Sequence, residues 1–374
     1  MRSGKRRTLA LCGVLLLAGC SSWTPLRTPT PVDAGPLTPV AQRSAAAVGR
    51  LLSTRCSGAP AAGTGFVVGP GLVLTAAHVV GGARQVSVRL TGAGPVPAEI
   101  VGIDASRDTA LVRAGALPGD PPTIPLASDR AATGTTVVAL GYPLGESVLH
   151  RTFARITSVT DSALVNGSPM RDLVTLDATL PVGLSGGPAL DADGVARGMV
   201  VAAIGGRGGR DSTSPVTLAL PASGLQASLT EWGDDTAVPS APCAGEVDHG
   251  EAADPDLIVS TTDADAPELA HTLWLLGRSI NAGQYPSAAG MLTRGLLAAE
   301  GGVTAWGRGL DSTRWQAIDL RSATRDGDRA TARARLRTAD DDGCRVQPVE
   351  VRFERSSGIW LVAAVEQDGA AEGC

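Results

Sequence analysis

Residues 63–80 read GTGFVVGPGLVLTAAHVV, in which two short apolar runs flank a Gly-Pro-Gly turn. Similar Val-rich runs, broken by Gly, Pro or Asp, recur at 83–90 (ARQVSVRL), 134–143 (GTTVVALGYP), 172–180 (DLVTLDATL) and 196–204 (ARGMVVAAI). Short β-branched segments at close spacing, joined by turn residues, are typical of β-strands. The sequence therefore predicts an all-β barrel or sandwich over residues 44–232.

The composition of the 374-residue chain restricts the class of protein further. At roughly 100–200 residues per domain, this length predicts two domains. Hydrophobic residues make up 43% of the chain and charged residues 18%, which excludes a disordered protein. The formal net charge is -5 and there is no basic stripe, so the sequence does not have the electrostatic pattern of a nucleic-acid-binding protein.

The sequence changes character after residue 232. Residues 233–256 lose the apolar runs and gain Pro and acidic residues, which predicts a linker. Residues 263–299 carry Leu and Ala at helical spacing. Alternating polar and apolar stretches follow at 314–324, 329–339, 346–355 and 358–366. Helices followed by an antiparallel meander predict a smaller α+β domain over residues 257–374.

The N-terminus has the layout of a secretory signal. Residues 1–7 are basic, and the apolar run that follows is too short to cross a hydrocarbon core of about 30 Å. The run ends at Cys20 in a pattern that resembles the bacterial lipoprotein signal, with an ordinary secretory signal as the alternative. The resemblance implies that residues 1–19 are removed and that Cys20 carries a diacylglycerol. Residues 20–43, rich in Pro and Thr, would then tether the folded part to the extracytoplasmic face of the cell membrane.

Four cysteines remain in the folded part: Cys56, Cys243, Cys344 and Cys374. In an oxidising compartment they predict two disulfides, with three possible pairings. We favour Cys56–Cys243 and Cys344–Cys374, because each pair then lies at the margins of one domain. None of the spacings is that of a zinc site, so the sequence predicts no bound metal.

Three polar residues lie in short motifs that suggest chemistry: His78 in TAAHVV, Asp108 in RDTALV and Ser185 in GLSGGPAL. Each motif alone is typical of an ordinary strand end or turn. Together they supply a nucleophile, a base, and a carboxylate that fixes the tautomer of the base. Glycines beside the serine let backbone N–H groups converge on a developing oxyanion. The order His, Asp, Ser is that of chymotrypsin and differs from the Ser, Asp, His order of hydrolases with a nucleophile elbow.

These three motifs resemble the catalytic blocks of trypsin-like serine proteases, particularly the HtrA (Deg) branch. The resemblance extends to GTGFVVGPGLVLTAAHVV at 63–80, VALGYPLG at 138–145 and VTLALPASGL at 216–225, and it covers about residues 48–228. It implies a mainly β, double-barrel trypsin-like protease domain and a serine endopeptidase that needs no cofactor.

By this resemblance, Ser185 is the acylated nucleophile, His78 is the general base and then the acid, and Asp108 orients His78. The backbone N–H groups of Gly183 and Ser185 would form the oxyanion hole. Leu184 departs from the family, which usually has Asn or Asp immediately before the nucleophile. The leucine leaves the backbone donors in place but removes a polar contact that could switch the loop between formed and collapsed states. We therefore expect low or conditional basal activity.

The sequence defines the substrate pocket less well. Thr179, Leu180, Ala202 and Ala203 align with the walls of the family's primary pocket, and no acidic residue accompanies them. A small apolar pocket of this kind would accept Ala, Val or Leu in the substrate. The alternative interpretation is that these four residues only pack within their strands.

Residues 257–374 do not resemble the PDZ domain with which HtrA proteases usually continue, because the segment opens with a helical pattern. The order of its elements resembles the NTF2-like cone fold. Four tryptophans lie here, and they either line an apolar pocket or pack in a core: Trp274, Trp306, Trp315 and Trp360.

Two hypotheses about function follow. The first is a membrane-tethered, extracytoplasmic serine endopeptidase that acts on protein or peptide substrates through an acyl-enzyme intermediate. The second is a catalytically weak or inactive lipoprotein whose protease fold serves as a binding scaffold. The three motifs favour the enzyme, and Leu184 mildly favours the scaffold.

Overall fold

The computed structural model describes residues 32–165, 168–204, 216–232, 236–249 and 253–374. The predicted signal segment, Cys20 and residues 20–31 of the predicted tether lie outside these ranges, as do the side chains of Ala202 and Ala203. From residue 31 onward the chain forms one compact unit. No helix in the described ranges is long and apolar enough to cross a membrane.

Two closed antiparallel β-barrels form the first part of this unit, which confirms the double-barrel prediction. The first barrel consists of β1 (Val48–Thr54), β2 (Ala61–Gly69), β3 (Leu72–Thr75), β4 (Gln85–Leu90), β5 (Pro95–Asp104) and β6 (Thr109–Ala114). Its strands close in the order β1-β2-β3-β6-β5-β4. The second barrel consists of β7 (Thr136–Gly141), β8 (His150–Val165), β9 (Ser168–Leu176), β10 (Pro188–Leu190), β11 (Ala196–Ile204) and β12 (Val216–Pro221). Its strands close in the order β10-β11-β12-β9-β8-β7.

Among the described residues, three α-helices accompany the barrels, α1 (Leu37–Ser44), α2 (Ala77–Val80) and α3 (Ala222–Trp232), and a short 3₁₀ helix, Ala45–Ala47, follows α1. The first of them shortens the predicted tether, which was expected to extend to residue 43. Leu37, Val40 and Ala41 are buried in the same apolar cluster as the barrel residues. Their spacing of i, i+3 and i+4 forms one apolar stripe of a helix, and packing of that stripe outweighs the tether-like composition.

The remaining elements form the C-terminal region, which we define as residues 253–374. They are β13 (Asp256–Val259), α4 (Ala266–Asn281), α5 (Tyr285–Ala289), α6 (Arg294–Ala299), α7 (Val303–Arg308), β14 (Arg314–Asp326), β15 (Arg329–Asp340), β16 (Gly343–Ser356), β17 (Ile359–Gln367) and β18 (Glu372–Gly373). Strands β14 to β17 pair antiparallel in sequence order, β13 is parallel to β14, and β18 pairs with β16. The helices and the meander agree with the predicted α+β architecture, whereas the NTF2-like assignment stays a prediction.

The four tryptophans of this region divide into two groups. Trp274 and Trp360 are buried in the core between α4 and the sheet. Trp306 and Trp315 are partly buried and line an apolar cavity of about 260 Å³. Both interpretations of the tryptophans therefore apply, each to one pair.

The segment predicted as a linker is anchored rather than free. Cys243 forms a disulfide with Cys56, which follows β1 in the first barrel. Three residues further on, Glu246 accepts hydrogen bonds from the guanidinium of Arg84, with Nε to Oε2 at 3.0 Å. A second disulfide joins Cys344 to Cys374 within the C-terminal region. Covalent and ionic contacts thus fix a segment whose composition alone predicts a flexible connection.

A buried cluster of charged residues joins the first barrel to α4. Arg50 on β1 forms an ion pair with Glu268 on α4 at 2.5 Å, and Arg89 on β4 lies 3.6 Å from the same carboxylate. Each of these side chains is at most 4% exposed. Burial raises the pKa of Glu268 and lowers that of Arg50, because both charged forms lose hydration, although the attraction between them opposes both shifts.

A buried histidine accompanies this cluster. The Nε2 atom of His271 on α4 shares a 2.7 Å hydrogen bond with the hydroxyl of Ser87 on β4. Burial, and secondarily the positive charges of Arg89 and Arg50, hold the pKa of His271 well below its ordinary value. Burial therefore favours the neutral imidazole beside the two arginines.

Candidate active site

His78 and Asp108 meet at one end of the first barrel. His78 lies on α2, just after β3, and Asp108 lies just before β6. Because β3 pairs with β6, with Thr75 opposite Ala110, the two polar residues come together. His78 Nδ1 lies 2.8 Å from Asp108 Oδ2, and the His78 backbone N–H donates to Asp108 Oδ1 at 2.8 Å.

The backbone of Asp108 is unusual. Its φ of 48° lies in the left-handed region, which few non-glycine residues adopt. The side chain is 9% exposed, whereas that of His78 is 35% exposed. The carboxylate is thus a shielded acceptor that holds both the ring and the main chain of a more accessible imidazole.

Ser185 is supplied by the second barrel, in the loop between β9 and β10. Its carbonyl accepts a hydrogen bond from the N–H of Thr64 on β2 at 2.9 Å. A Cβ on Gly186 would lie 2.1 Å from the carbonyl oxygen of Thr64 and 2.9 Å from the nitrogen of Ala76, so only glycine fits at this approach. The loop therefore lies directly against the strand end that leads into α2. The Ser185 hydroxyl donates to the carbonyl of Val201 at 3.4 Å, not to the imidazole.

The backbone around Gly183 suits an oxyanion site. Gly183 has a φ of 106°, and its carbonyl accepts a 2.8 Å hydrogen bond from the Thr64 hydroxyl. Within the described ranges, the N–H groups of Gly183 and Ser185 have no acceptor in the protein. Two backbone donors beside the serine hydroxyl are the requirement for binding a tetrahedral oxyanion.

Leu184 anchors this loop by apolar packing. Its side chain is completely buried and belongs to the core of the second barrel. A Cβ on Gly141 would lie 2.7 Å from Leu184 Cγ, so β7 approaches the leucine closely. The residue that departs from the family pattern therefore contributes core contacts where a polar side chain could not.

Of the four predicted pocket residues, the structure describes the side chains of Thr179 and Leu180. Leu180 is 2% exposed and packs in the core of the second barrel, which favours the alternative interpretation for this residue. Thr179 is exposed. Ala202 and Ala203 pair with β12 through their backbones, and their side chains lie outside the described residues.

Thr64 is a site residue that the sequence analysis missed. Its side chain is fully buried, and its hydroxyl donates to the Gly183 carbonyl and accepts from the Tyr142 N–H at 2.9 Å. It thereby joins the first barrel to two loops of the second. The available signal was a single hydroxyl within the apolar segment GTGFVV.

No group of three or more His, Cys, Asp or Glu side chains in the described part of the chain is placed to hold a metal ion. His78 is engaged at Nδ1 by Asp108.

Comparison with known proteins defines the class. Residues 63–199 match the family model described as a trypsin-like peptidase domain. The two closed barrels are those of that family, and the chain belongs to the trypsin-like serine proteases, with homology to the HtrA/DegP type.

Individual relatives are more specific. The serine protease Rv3671c of Mycobacterium tuberculosis is 39% identical over 159 residues, which are 41% of this chain and 39% of that protein. A probable periplasmic DegP-like serine endoprotease of Pseudomonas fulva is 36% identical over 134 residues, 35% of this chain and 27% of that protein. The crystal structure of the Rv3671c protease in its active form has a TM-score of 0.50 at 32% identity, covering 58% of this chain and 96% of that chain. The chain thus spans well under half the length of the curated relatives.

Proposed function

We propose that this chain is a serine endopeptidase in which Ser185 attacks the scissile carbonyl, His78 transfers the proton and Asp108 orients His78. The proposal rests on the 2.8 Å contact between His78 Nδ1 and Asp108 Oδ2. This contact lies at the strand end against which the Ser185 loop packs. Its homologues Rv3671c and the DegP-like protein, a serine protease and a probable serine endoprotease, support the proposal.

The proposed mechanism uses these groups in sequence. With substrate bound, the Ser185 hydroxyl turns from the Val201 carbonyl to His78 Nε2, which accepts its proton as the oxygen attacks. The N–H groups of Gly183 and Ser185 stabilise the oxyanion of the tetrahedral intermediate. The protonated imidazole then donates to the leaving amine, and an acyl-enzyme remains. A water molecule, deprotonated by His78, hydrolyses this ester and restores the serine.

A fluorophosphonate probe tests this function directly, because it reacts covalently with an activated serine. We expect the oxidised wild-type protein to be labelled, and we expect Ser185→Ala to remain unlabelled. Ser312→Ala, which removes an exposed serine hydroxyl of the C-terminal region, should label like the wild type. Absence of labelling in folded, disulfide-intact wild-type protein would reject the enzyme in favour of a non-catalytic scaffold.

The proposal also includes a location. The basic head, the apolar run and Cys20 support removal of residues 1–19 and lipidation of Cys20, and the periplasmic relative of Pseudomonas fulva supports an extracytoplasmic site. We expect mass spectrometry of protein purified from bacterial membranes to find a diacylglycerol on an N-terminal Cys20. A soluble mature protein that begins elsewhere would contradict the lipid anchor, and Cys20→Ala should release the protein from the membrane fraction.

A further inference from the structure

One loop of the protease lies between the oxyanion site and the C-terminal region. It comprises residues 142–147, which connect β7 to β8, and we call it the 142–147 loop. Its sequence is YPLGES. The contacts on its two sides suggest how the C-terminal region affects the active site.

The first side of the loop contacts the backbone at Gly183. The N–H of Leu144 donates to the carbonyl of Val182 at 2.9 Å. A Cβ on Gly183 would lie 2.5 Å from the Tyr142 carbonyl oxygen and 2.6 Å from the Leu144 nitrogen. Because Val182 and Gly183 share a peptide bond, the hydrogen bond to the Val182 carbonyl also fixes the direction of the Gly183 N–H.

The second side of the loop contacts the C-terminal region. The indole N–H of Trp360 donates to the carbonyl of Gly145 at 3.3 Å, and Trp360 is completely buried. A Cβ on Gly358 would lie 2.4 Å from Leu144 Cβ, so the turn before β17 fits against the leucine side chain. The Ser147 hydroxyl donates to the carbonyl of Ala264.

The loop is also held from the first barrel. Arg50 Nη1 donates to the carbonyl of Glu146 at 3.2 Å and lies 3.4 Å from that of Pro143. The same guanidinium forms the buried ion pair with Glu268 on α4. The C-terminal region therefore contacts the loop directly through Trp360 and indirectly through Arg50.

We propose that Trp360 is a positioning residue for the oxyanion hole, acting through the 142–147 loop on the peptide bond between Val182 and Gly183. The proposal rests on the proposed function, because it concerns the same oxyanion site. In this arrangement the C-terminal region is part of the active enzyme. The N–H of Gly183 keeps its direction because the Gly145 carbonyl is held by a tryptophan that lies far away in sequence.

Trp360→Phe tests the role of the indole N–H, with Trp274→Phe as a matched control. Trp274 is also buried, and its indole N–H donates to the carbonyl of Pro255 at 3.0 Å, inside the C-terminal region and away from the loop. Both variants lose one indole hydrogen bond and similar volume. Removing a whole oxyanion donor lowers kcat by about two to three orders of magnitude. A less firmly held Gly183 N–H should cost less, so we expect kcat to fall about tenfold in Trp360→Phe and to stay unchanged in Trp274→Phe.

The measurement separates positioning from stability. Values of kcat are expressed per active site titrated with the fluorophosphonate, so unfolded molecules do not count. We expect KM to change little and the affinity for a peptide aldehyde, which forms a tetrahedral adduct, to fall with kcat. Equal kcat per site in the Trp360→Phe and Trp274→Phe variants would overturn the proposal while leaving the proposed function intact.

Two other results of these experiments would also decide the question. Where Trp360→Phe does not fold, Ser147→Ala weakens the same attachment at the edge of the loop, and we expect a smaller fall in kcat per titrated site. Unchanged kcat in that variant would then overturn the proposal. A wild type with neither turnover nor Ser185-dependent labelling would reject the proposed function, and the positioning role with it.

Discussion

Asp108→Asn is expected to lower the rate of peptide hydrolysis about ten-thousandfold without unfolding the protein. The reason lies in the two hydrogen bonds of the carboxylate. Asp108 Oδ2 accepts from His78 Nδ1, which leaves the lone pair of the neutral ring on Nε2, the atom that the proposed mechanism uses as the base. An amide N–H in place of Oδ2 would require Nδ1 to accept, and Nε2 would then carry the proton and could not act as a base.

The fold should survive this substitution because the asparagine side chain retains one oxygen. That oxygen can still accept the backbone N–H of His78, the contact that now joins Asp108 Oδ1 to the start of α2. We expect far-ultraviolet circular dichroism and the melting temperature to stay close to those of the wild type. The loss would therefore be measured as a fall in kcat on a fluorogenic peptide that the wild type cleaves.

Asp104→Asn is the matched control for this experiment. Asp104 Oδ1 accepts the backbone N–H groups of Ser106 and Arg107, at 2.9 and 3.2 Å, in the same turn that carries Asp108. An asparagine oxygen keeps both acceptor contacts, and no imidazole is involved, so we expect nearly unchanged turnover. Similar losses in the two variants would mean that the turn, and not the carboxylate on His78, determines the rate.

The sequence predicts the protease part well because its signals are local. Valine-rich runs separated by turn residues indicate the strands, and three short motifs indicate His78, Asp108 and Ser185. Strands β3 and β6 are neighbours in the first barrel, and their pairing brings His78 close to Asp108. Thr64 was missed because a single hydroxyl in a strand gives no signal until its partners in the second barrel are known.

Composition misled the prediction where packing decides the structure. Residues 37–43 read as tether because Pro and Thr are frequent, yet three apolar side chains at helical spacing dock on the barrels. The segment around Cys243 reads as linker, yet it is fixed by a disulfide and by the contact of Glu246 with Arg84. Leu180 is buried in the core of the second barrel, and nothing in the local sequence distinguishes a pocket wall from a core.

The contact between the barrels and the C-terminal region could not be predicted from the sequence. Arg50 and Arg89 occupy β-strands, where charged side chains usually indicate a solvent-exposed face. Both are buried because Glu268 approaches them from a helix more than 170 residues away in the chain. Only the tertiary structure shows that α4 covers the face of β1 and β4 that carries these arginines.

Glu268→Ala is expected to lower the free energy of unfolding by about 3–5 kcal/mol, measured by urea denaturation. Two guanidiniums within 4 Å of the Glu268 carboxylate would lose their counter-charge while remaining buried. Glu366→Ala is the control, because Glu366 pairs with Arg352 at the surface and both side chains are more than half exposed. An exposed pair of this kind contributes about 0–1 kcal/mol.

Glu268→Gln distinguishes the loss of charge from the loss of volume. Glutamine has nearly the shape of glutamate and can still offer an oxygen to Arg50, but it leaves the positive charges of Arg50 and Arg89 uncompensated. If the charge dominates, the glutamine variant should lose most of the stability that the alanine variant loses. High salt should reduce this loss only slightly, because buried charges are screened much less than exposed ones. A glutamine variant as stable as the wild type would mean that packing of α4, and not the ion pair, holds the C-terminal region on the first barrel.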